Sequence, residues 1–372
     1  MAYECPRCGS TSSSSWRCPY CGSLMEIKPE RLYWEVQERE PSIWRYRRLL
    51  PRAKRVVSLG EGLTDLRRLD GTLIKDETRN PTGSYIDRGS SVMVSCSDAS
   101  GKVELEFSPD VTISLASYLL RSGSTVEVRV DPEEADVDEL LYLSQLDLEI
   151  TFGPKLTRAS YENPFMVEGF KTIAYEIYEF KRDIGGIVIP SESGVLAYGV
   201  MKGFLELEEM GLMEVPPIYL AHHGPLRGDL VELLISRGAK LIEAHPRDTV
   251  ESLIKLARVG VYVKPLSAMA YAVASELGGD VVALLTGTGL RRWRSPSSLG
   301  SLTRLQRRVL GVMREGREMT AYQIWRELNE ATLQGIYKAL LKLSKMGLVS
   351  SRKEMRKRRM RRVYYIAGRR TE

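Results

Sequence analysis

Two Cys-Pro-x-Cys-Gly knuckles, Cys5-Pro6-Arg7-Cys8-Gly9 and Cys18-Pro19-Tyr20-Cys21-Gly22, stand nine residues apart at the start of this 372-residue chain. Each glycine permits the tight turn that brings two sulfurs to one ion. Four thiolates at this spacing predict a closed tetrahedral zinc site, with Cys5, Cys8, Cys18 and Cys21 as ligands and no open position for catalysis. Free thiols or a redox pair are the other use of such cysteines, and the duplication argues against them. The intervening segment from Ser10 to Trp16 is polar and Ser-rich. About 25 residues cannot build a core, so the metal is expected to hold residues 1–28 together as a structural module.

The fifth cysteine, Cys96, has no evident partner, and the segment Met1-Ala2-Tyr3-Glu4-Cys5 has neither the basic nor the apolar region of a secretory leader. Both features predict a cytoplasmic protein. Scarce Asn and Gln point to a hot environment. Hydrophobic residues make up 43% and charged residues 27%, and no apolar run approaches the roughly 18–20 residues that cross a bilayer. A soluble chain of two or three domains, with no membrane partner, is expected. The net charge of +6 hides an asymmetry: residues 299–372 hold 19 Lys and Arg against 6 Asp and Glu, so a +13 tail follows a −7 body. Such a tail points to nucleic acid or another anionic surface.

Between Pro29 and Ser298, β-branched runs such as Gly186–Pro190 and Val281–Leu285 alternate with amphipathic stretches. The stretch from Glu168 to Arg182 reads as one helix, with Phe170, Ile173, Ala174, Ile177 and Phe180 on its apolar face. Buried parallel strands alternating with helices predict a three-layer α/β body.

Within that body lie Pro41–Arg47, Ser58-Leu59-Gly60-Glu61-Gly62-Leu63-Thr64 and Lys75-Asp76-Glu77-Thr78-Arg79-Asn80-Pro81-Thr82-Gly83-Ser84-Tyr85-Ile86-Asp87-Arg88-Gly89. Glu168–Thr172, Pro265–Ala268 and Leu285–Leu290 follow in the same order. These motifs resemble threonine synthase, a pyridoxal-phosphate (PLP) enzyme of fold type II, over roughly residues 1–293. The resemblance implies a tryptophan synthase beta-like body with a small subdomain at roughly 90–165, and often a zinc ribbon in front.

The departures fall where the chemistry is. The family's run reads N-P-T-G-S-F-K-D-R-G and its lysine forms the internal aldimine; Ile86 stands at that position and has no amine. The ring-contacting S-T-G-N-T loop aligns with Phe107–Thr112, where Pro109 removes a backbone donor and Asp110 replaces asparagine. The G-N-G-G phosphate cradle aligns with Ser191-Glu192-Ser193-Gly194-Val195. A carboxylate about 4 Å from a phosphate costs on the order of 4 kcal/mol at an effective dielectric near 20. Thr286 keeps the residue that faces the ring nitrogen. Ser84, Ile86, Asp110, Glu192, Ser193, Gly194 and Thr286 therefore outline a degenerate cofactor or effector pocket in which PLP is not expected. The alternatives are a displaced Schiff-base lysine, with Lys75 and Lys171 the nearest in sequence, and a non-PLP activity in the same cleft.

After the polar stretch Arg291–Ser298 a new amphipathic unit, residues 299–372, lies outside the resemblance. Leu302, Leu305, Val309 and Met313 form one helical face; Thr320 caps a helix bearing Ile324, Trp325 and Leu328; Thr332 caps a third bearing Ile336, Leu340 and Leu343, which Gly347 stops. Leu348–Ser351 and Val363–Ile366 read as strands flanking a charged tip. The pattern resembles the winged helix-turn-helix of small transcriptional regulators. Thr332, Gln334, Lys338 and Lys342 would then face DNA from the recognition helix, and Arg352, Lys353, Arg356, Lys357, Arg358, Arg359, Arg361 and Arg362 from the wing. From Arg352 to Arg362 eight basic residues accompany one acidic residue. A winged helix used on an acidic protein partner is the other reading.

Together these features predict a DNA-binding transcriptional regulator on an inactive threonine synthase-like body. Its expected partners are double-stranded DNA, a second copy of itself, and an amino acid or related metabolite as effector.

Overall fold

The knuckle glycines Gly9 and Gly22 take positive φ values of 72° and 74°, which lets each loop fold back so that the amides of Gly9 and Gly22 donate to the carbonyls of Cys5 and Cys18. In this computed structural model the described residues are 3–29, 31–97, 101–133, 135–154, 161–226, 228–290, 303–313, 318–328, 331–345, 348–356 and 359–366. The chain divides into two units, Met1–Trp293 and Arg294–Glu372. The expected boundary at residues 298/299 lies outside the described residues, as do Leu302 and Gly347.

Strands β1 (Tyr3–Glu4), β2 (Thr11–Ser12) and β3 (Glu26–Ile27) form the ribbon's antiparallel sheet. The ribbon does not stand apart. Tyr3, Cys5, Cys18, Met25 and Ile27 share one apolar cluster with Ile43, Trp44, Leu50, Val92 and Phe165 of the body, so the expectation that metal alone replaces a core needs correcting: the body supplies part of it.

The body then runs β4 (Leu66–Leu69), β5 (Thr72–Asp76), α1 (Ile86–Cys96), β6 (Lys102–Glu106), α2 (Val111–Ser122), β7 (Thr125–Val130), α3 (Val137–Leu143) and β8 (Glu149–Phe152). It continues with α4 (Pro164–Phe170), α5 (Thr172–Phe180), β9 (Gly186–Pro190), α6 (Val195–Glu209), β10 (Ile218–His222), α7 (Asp229–Ser236), β11 (Lys240–Glu243), α8 (Pro246–Arg258), α9 (Pro265–Leu277) and β12 (Val281–Leu285). The large sheet has the order β11-β10-β9-β12-β5-β4, parallel except for the edge strand β4. Strands β9 and β12 are buried throughout and lie side by side at its centre. Helices α8 and α9 seal a core of Ile74, Val188, Leu256, Met269, Tyr271 and Ala283 against the sheet. Strands β6, β7 and β8 form a separate parallel sheet.

The single helix expected from Glu168 to Arg182 is two. Asn163 caps α4, Lys171 joins it to α5, and Phe180 is 57% exposed rather than on the buried face. Next to the join α4 packs closely on α1: a Cβ on Gly169 would lie 2.4 Å from the carbonyl of Arg88.

Charge is buried here in two clusters. Lys75 Nζ meets Glu176 Oε2 at 2.6 Å, and Arg88 meets Glu77 and Glu176 at 2.6 Å each, all four side chains being fully buried. In the second cluster Lys171 pairs with Glu168 and Glu206 at 2.7 and 3.0 Å, and Lys202 joins Glu168 at 2.7 Å to Glu26 of the ribbon at 3.3 Å. Removing one partner of a buried pair costs about 3–5 kcal/mol, because the other charge is left desolvated.

Glu61 is buried too, and burial pushes its carboxyl up to about 7 against the opposing hydrogen bonds of Ser91, the Leu59 amide and Tyr118. The folded state holds this proton more tightly than the unfolded chain. The resulting penalty is absent at low pH and grows as pH rises from 4.5 through about 7. Relative to Glu61→Gln, the natural chain is expected to lose about 3 kcal/mol between pH 4.5 and pH 8. Parallel stability profiles for the two proteins over that range would refute the assignment.

The second unit contains α10 (Arg304–Val312), α11 (Ala321–Leu328), α12 (Leu333–Lys345), β13 (Val349–Arg356) and β14 (Arg359–Ile366). Thr303 and Gln306 form a capping box at α10, while the hydroxyls of Thr320 and Thr332 accept from the amides of Gln323 and Gly335. Val309, Met313, Ile324, Leu328, Ile336, Leu340, Leu343 and Tyr364 make the core. Met319 exchanges two backbone hydrogen bonds with Tyr364, at 3.0 and 2.8 Å, an isolated antiparallel bridge beside the hairpin. The strands run further than the sequence indicates: β13 and β14 pair from Val349↔Ile366 to Arg356↔Arg359. The basic residues Arg352, Lys353, Arg356, Arg359, Arg361 and Arg362 therefore lie along a ladder and not in a loop.

Candidate functional site

In parallel α/β sheets, clefts form outside the carboxyl ends of strands where connections leave in opposite directions. Here a cavity of about 1190 Å³ opens at the ends of β9 and β12, lined by Ser191, Glu192, Ser193 and Gly194 after β9 and by Thr286 after β12. Tyr85 and Ile86 at the start of α1, Ser108–Val111 before α2, and Lys264 and Leu266 before and within α9 add further wall. Of the seven pocket residues expected from sequence, six line this cavity. Ser84 does not; it is fully buried behind the wall, in an isolated bridge to Gly287.

Ile86 is 2% exposed and presents only hydrocarbon. Lys75 and Lys171 are locked in the two buried charge clusters and do not line the cavity. Among the described residues the lysine that does is Lys264, which sequence reasoning missed. Its Nζ lies 2.7 Å from Asp110 and 3.0 Å from Glu139. Asp110 adopts a positive φ of 60°, a conformation costing about 1–3 kcal/mol for a residue with a side chain. Two contacts hold it there: its amide donates to Glu139 at 2.7 Å, and its carboxylate takes Lys264. Thr286 and Ser267 share a 3.0 Å hydroxyl contact.

Gly194, at φ 80°, opens α6; a Cβ there would meet Leu230 at 3.2 Å and Val231 at 3.3 Å, so the β9–α6 turn sits directly on the start of α7. The helix N-terminus still favours an anion, but the turn that would cradle a phosphate brings its own carboxylate, Glu192. The residues present do not fit PLP: no amine at Ile86, proline in the ring loop, and negative charge in the phosphate turn.

A second surprise is that the ribbon walls the cleft. Trp16, Arg17 and Gly22 line it, with Arg17 hydrogen-bonded to Glu162 and 3.8 Å from Asp229. Arg7 pairs with Glu232 of α7 at 3.0 Å. The thiols of Cys5, Cys8, Cys18 and Cys21 all lie within 4.8 Å of one another. Burial pushes the Cys5 thiol up to about 12, whereas the Ser10 hydroxyl draws Cys18 down to about 6. Four such donors could hold one tetrahedral metal ion such as zinc.

On α12 the outward stripe is Gln334, Tyr337, Lys338 and Leu341, with Tyr337 51% and Leu341 60% exposed. Lys342, expected on this stripe, is only half-exposed, and Thr332 spends its hydroxyl on the helix cap. On the wing, Arg352 is paired with Glu318 at 2.8 Å and Arg361 with Glu354, while Arg362 is exposed. The register sets Lys353 opposite Arg362 and Arg356 opposite Arg359. Lys357 and Arg358 lie outside the described residues. Among the described residues no helix is long and apolar enough to cross a membrane.

Residues 302–364 match the winged helix DNA-binding domain family. The chain is 26% identical over 304 residues to a threonine synthase of Methanocaldococcus jannaschii, covering 69% of this chain and 73% of that protein. It is 26% identical over 375 aligned positions to a threonine synthase of Methanosarcina acetivorans, covering 85% and 89%. A fungal L-serine ammonia-lyase from Rhizomucor miehei superposes with a TM-score of 0.52 at 15% identity, over 62% of this chain and 94% of the other. Threonine deaminase isoform 2 from Solanum lycopersicum gives 0.51 at 14%, over 61% and 79%. At those identities the structural likeness establishes the fold alone. The chain is thus similar to threonine synthases, with a four-cysteine ribbon and a body of PLP fold type II, and its residues 302–364 match a winged helix DNA-binding domain.

Proposed function

We propose that this chain is a DNA-binding transcriptional regulator whose body no longer runs PLP chemistry. The observation that carries the proposal is Ile86 in the cleft wall: a Schiff base needs a primary amine, and the residue at the required place has none. The boundaries 1–28, 29–298 and 299–372 then separate a zinc-held ribbon, a sensing or scaffolding body and a DNA-reading unit in a cytoplasmic, dimeric protein. Cys5, Cys8, Cys18 and Cys21 take structural zinc. Gln334 and Lys338 face base edges, and the wing arginines and lysines face phosphates.

One observation favours a second reading, an active PLP lyase with a displaced lysine: Lys264 lines the cleft. Its Nζ is committed to Asp110 and Glu139, two contacts that a Schiff base to PLP would break. Mixing the full chain with PLP is expected to give no aldimine absorbance band. A stoichiometric band that disappears in Lys264→Ala would establish the second reading instead. In parallel, mapping of chromosomal DNA bound by the chain is expected to return discrete sites, and retention of none would remove the regulator.

A further inference from the structure

Among the described residues, two side-chain oxygens of the cleft wall lack a hydrogen-bond partner. Ser191, 5% exposed, lines the cavity with a buried Oγ that has no hydrogen-bond partner among the described residues. Asp229 Oδ2, also in the wall, has no hydrogen bond either; Arg17 stands 3.8 Å away, beyond hydrogen-bond reach, and is occupied by Glu162. Glu192 has no cation within ion-pairing distance among the described residues. All three line the same cavity, where the β9–α6 turn rests on the first turn of α7. The described cations of the wall, Arg17 and Lys264, are each engaged by carboxylates, and Asp110, Glu162, Glu192 and Asp229 outnumber them.

The Glu192 carboxylate also acts into the cavity. The hydroxyls of Tyr85 and Tyr161 meet at 2.7 Å in the wall, and both are driven above the usual phenol range by burial first, with the Glu192 charge adding to it. A phosphate or carboxylate entering here meets the carboxylates of Glu192 and Asp229, whose charge opposes the donors offered by the Ser191 hydroxyl and the start of α6. A protonated amine brings three N–H donors and one positive charge. We propose that the turn Ser191–Gly194, together with Asp229, is an ammonium site, so that the cleft takes a small molecule through a protonated amine at the place where the fold relatives' resemblance would put a phosphate.

This deepens the effector part of the proposed function and leaves its DNA-binding part untouched. The test uses the full chain at fixed ionic strength and pairs of probes that differ in the amine: L-alanine against propionate, L-lysine against hexanoate, putrescine against succinate, with inorganic phosphate as the anion probe. At least one amine is expected to bind saturably by calorimetry and to raise the thermal midpoint, while its partner without the amine does neither. Glu192→Gln is expected to weaken that binding by about tenfold or more, the usual loss when a charge-assisted hydrogen bond goes. Ser191→Ala, which leaves the charge intact, is expected to weaken it less. Binding of phosphate or the acids in preference to the amines overturns the ammonium site, and so does a panel in which no amine binds. Duplex-DNA affinity measured on the same preparations without any probe reports separately on the regulator, so the two ideas fail independently.

Discussion

Replacing Lys353, Arg356, Arg359 and Arg362 together by alanine is expected to weaken binding to duplex DNA by at least about a hundredfold near physiological salt. It should also flatten the dependence of log affinity on log salt by about 3 to 4, since each phosphate contact contributes close to one unit of slope. These four residues lie along the paired part of β13 and β14. Arg352 and Arg361 are already paired with Glu318 and Glu354, so the same change at those two positions should matter less. Gln334→Ala and Lys338→Ala on α12 are expected to act differently, relaxing preference at one or two base pairs at about 1–3 kcal/mol each. Electrophoretic or anisotropy titrations at several salt concentrations separate the two behaviours. An unchanged slope in the fourfold variant would mean that the wing does not touch phosphates.

Stripping the metal from the four thiols should have the other large effect. One zinc per chain is the expected content by elemental analysis, and structural zinc supplies on the order of 10 kcal/mol of apparent folding free energy to a small site. Because Trp16 stacks edge-on against Phe165 and Arg17 bridges to Glu162 and Asp229, the loss should not stay in the ribbon. After chelation, or in Cys18→Ser, amide exchange is expected to rise across residues 3–27 and also in the segment around Glu162 and at the start of α7, with a lowered thermal midpoint. Exchange that changes in the ribbon alone would show that the cleft wall does not depend on the ion.

Features set by neighbours in sequence could be read directly: the knuckles, the buried strands at Gly186–Pro190 and Val281–Leu285, and the capped helices of the basic unit all follow from local spacing and capping chemistry. Contacts made across the sequence were the ones that escaped. Lys264 reaches Asp110 from 154 positions away, and Arg17 reaches Glu162 across 145; no periodicity encodes either. The break at Lys171 was hidden because Phe170, Ile173, Ala174 and Ile177 are buried in both helices, so the apolar pattern runs on through the join. The close packing of α4 on α1, where only glycine fits at position 169 against Arg88, is likewise a contact between distant parts of the chain.

The two buried charge clusters bear on how such a chain changes over generations. A substitution at Lys75, Arg88, Glu176 or Lys171 strands a desolvated partner, and the 3–5 kcal/mol this costs is a large part of the roughly 5–15 kcal/mol that keeps a domain folded. An exposed cleft position such as Glu192 carries no such penalty, since water can solvate whatever replaces it. Under the proposed loss of PLP chemistry, a lineage drifts at exposed cleft positions such as Glu192 while its charged interior stays frozen, and ancestry remains readable longest in residues that never touched a substrate.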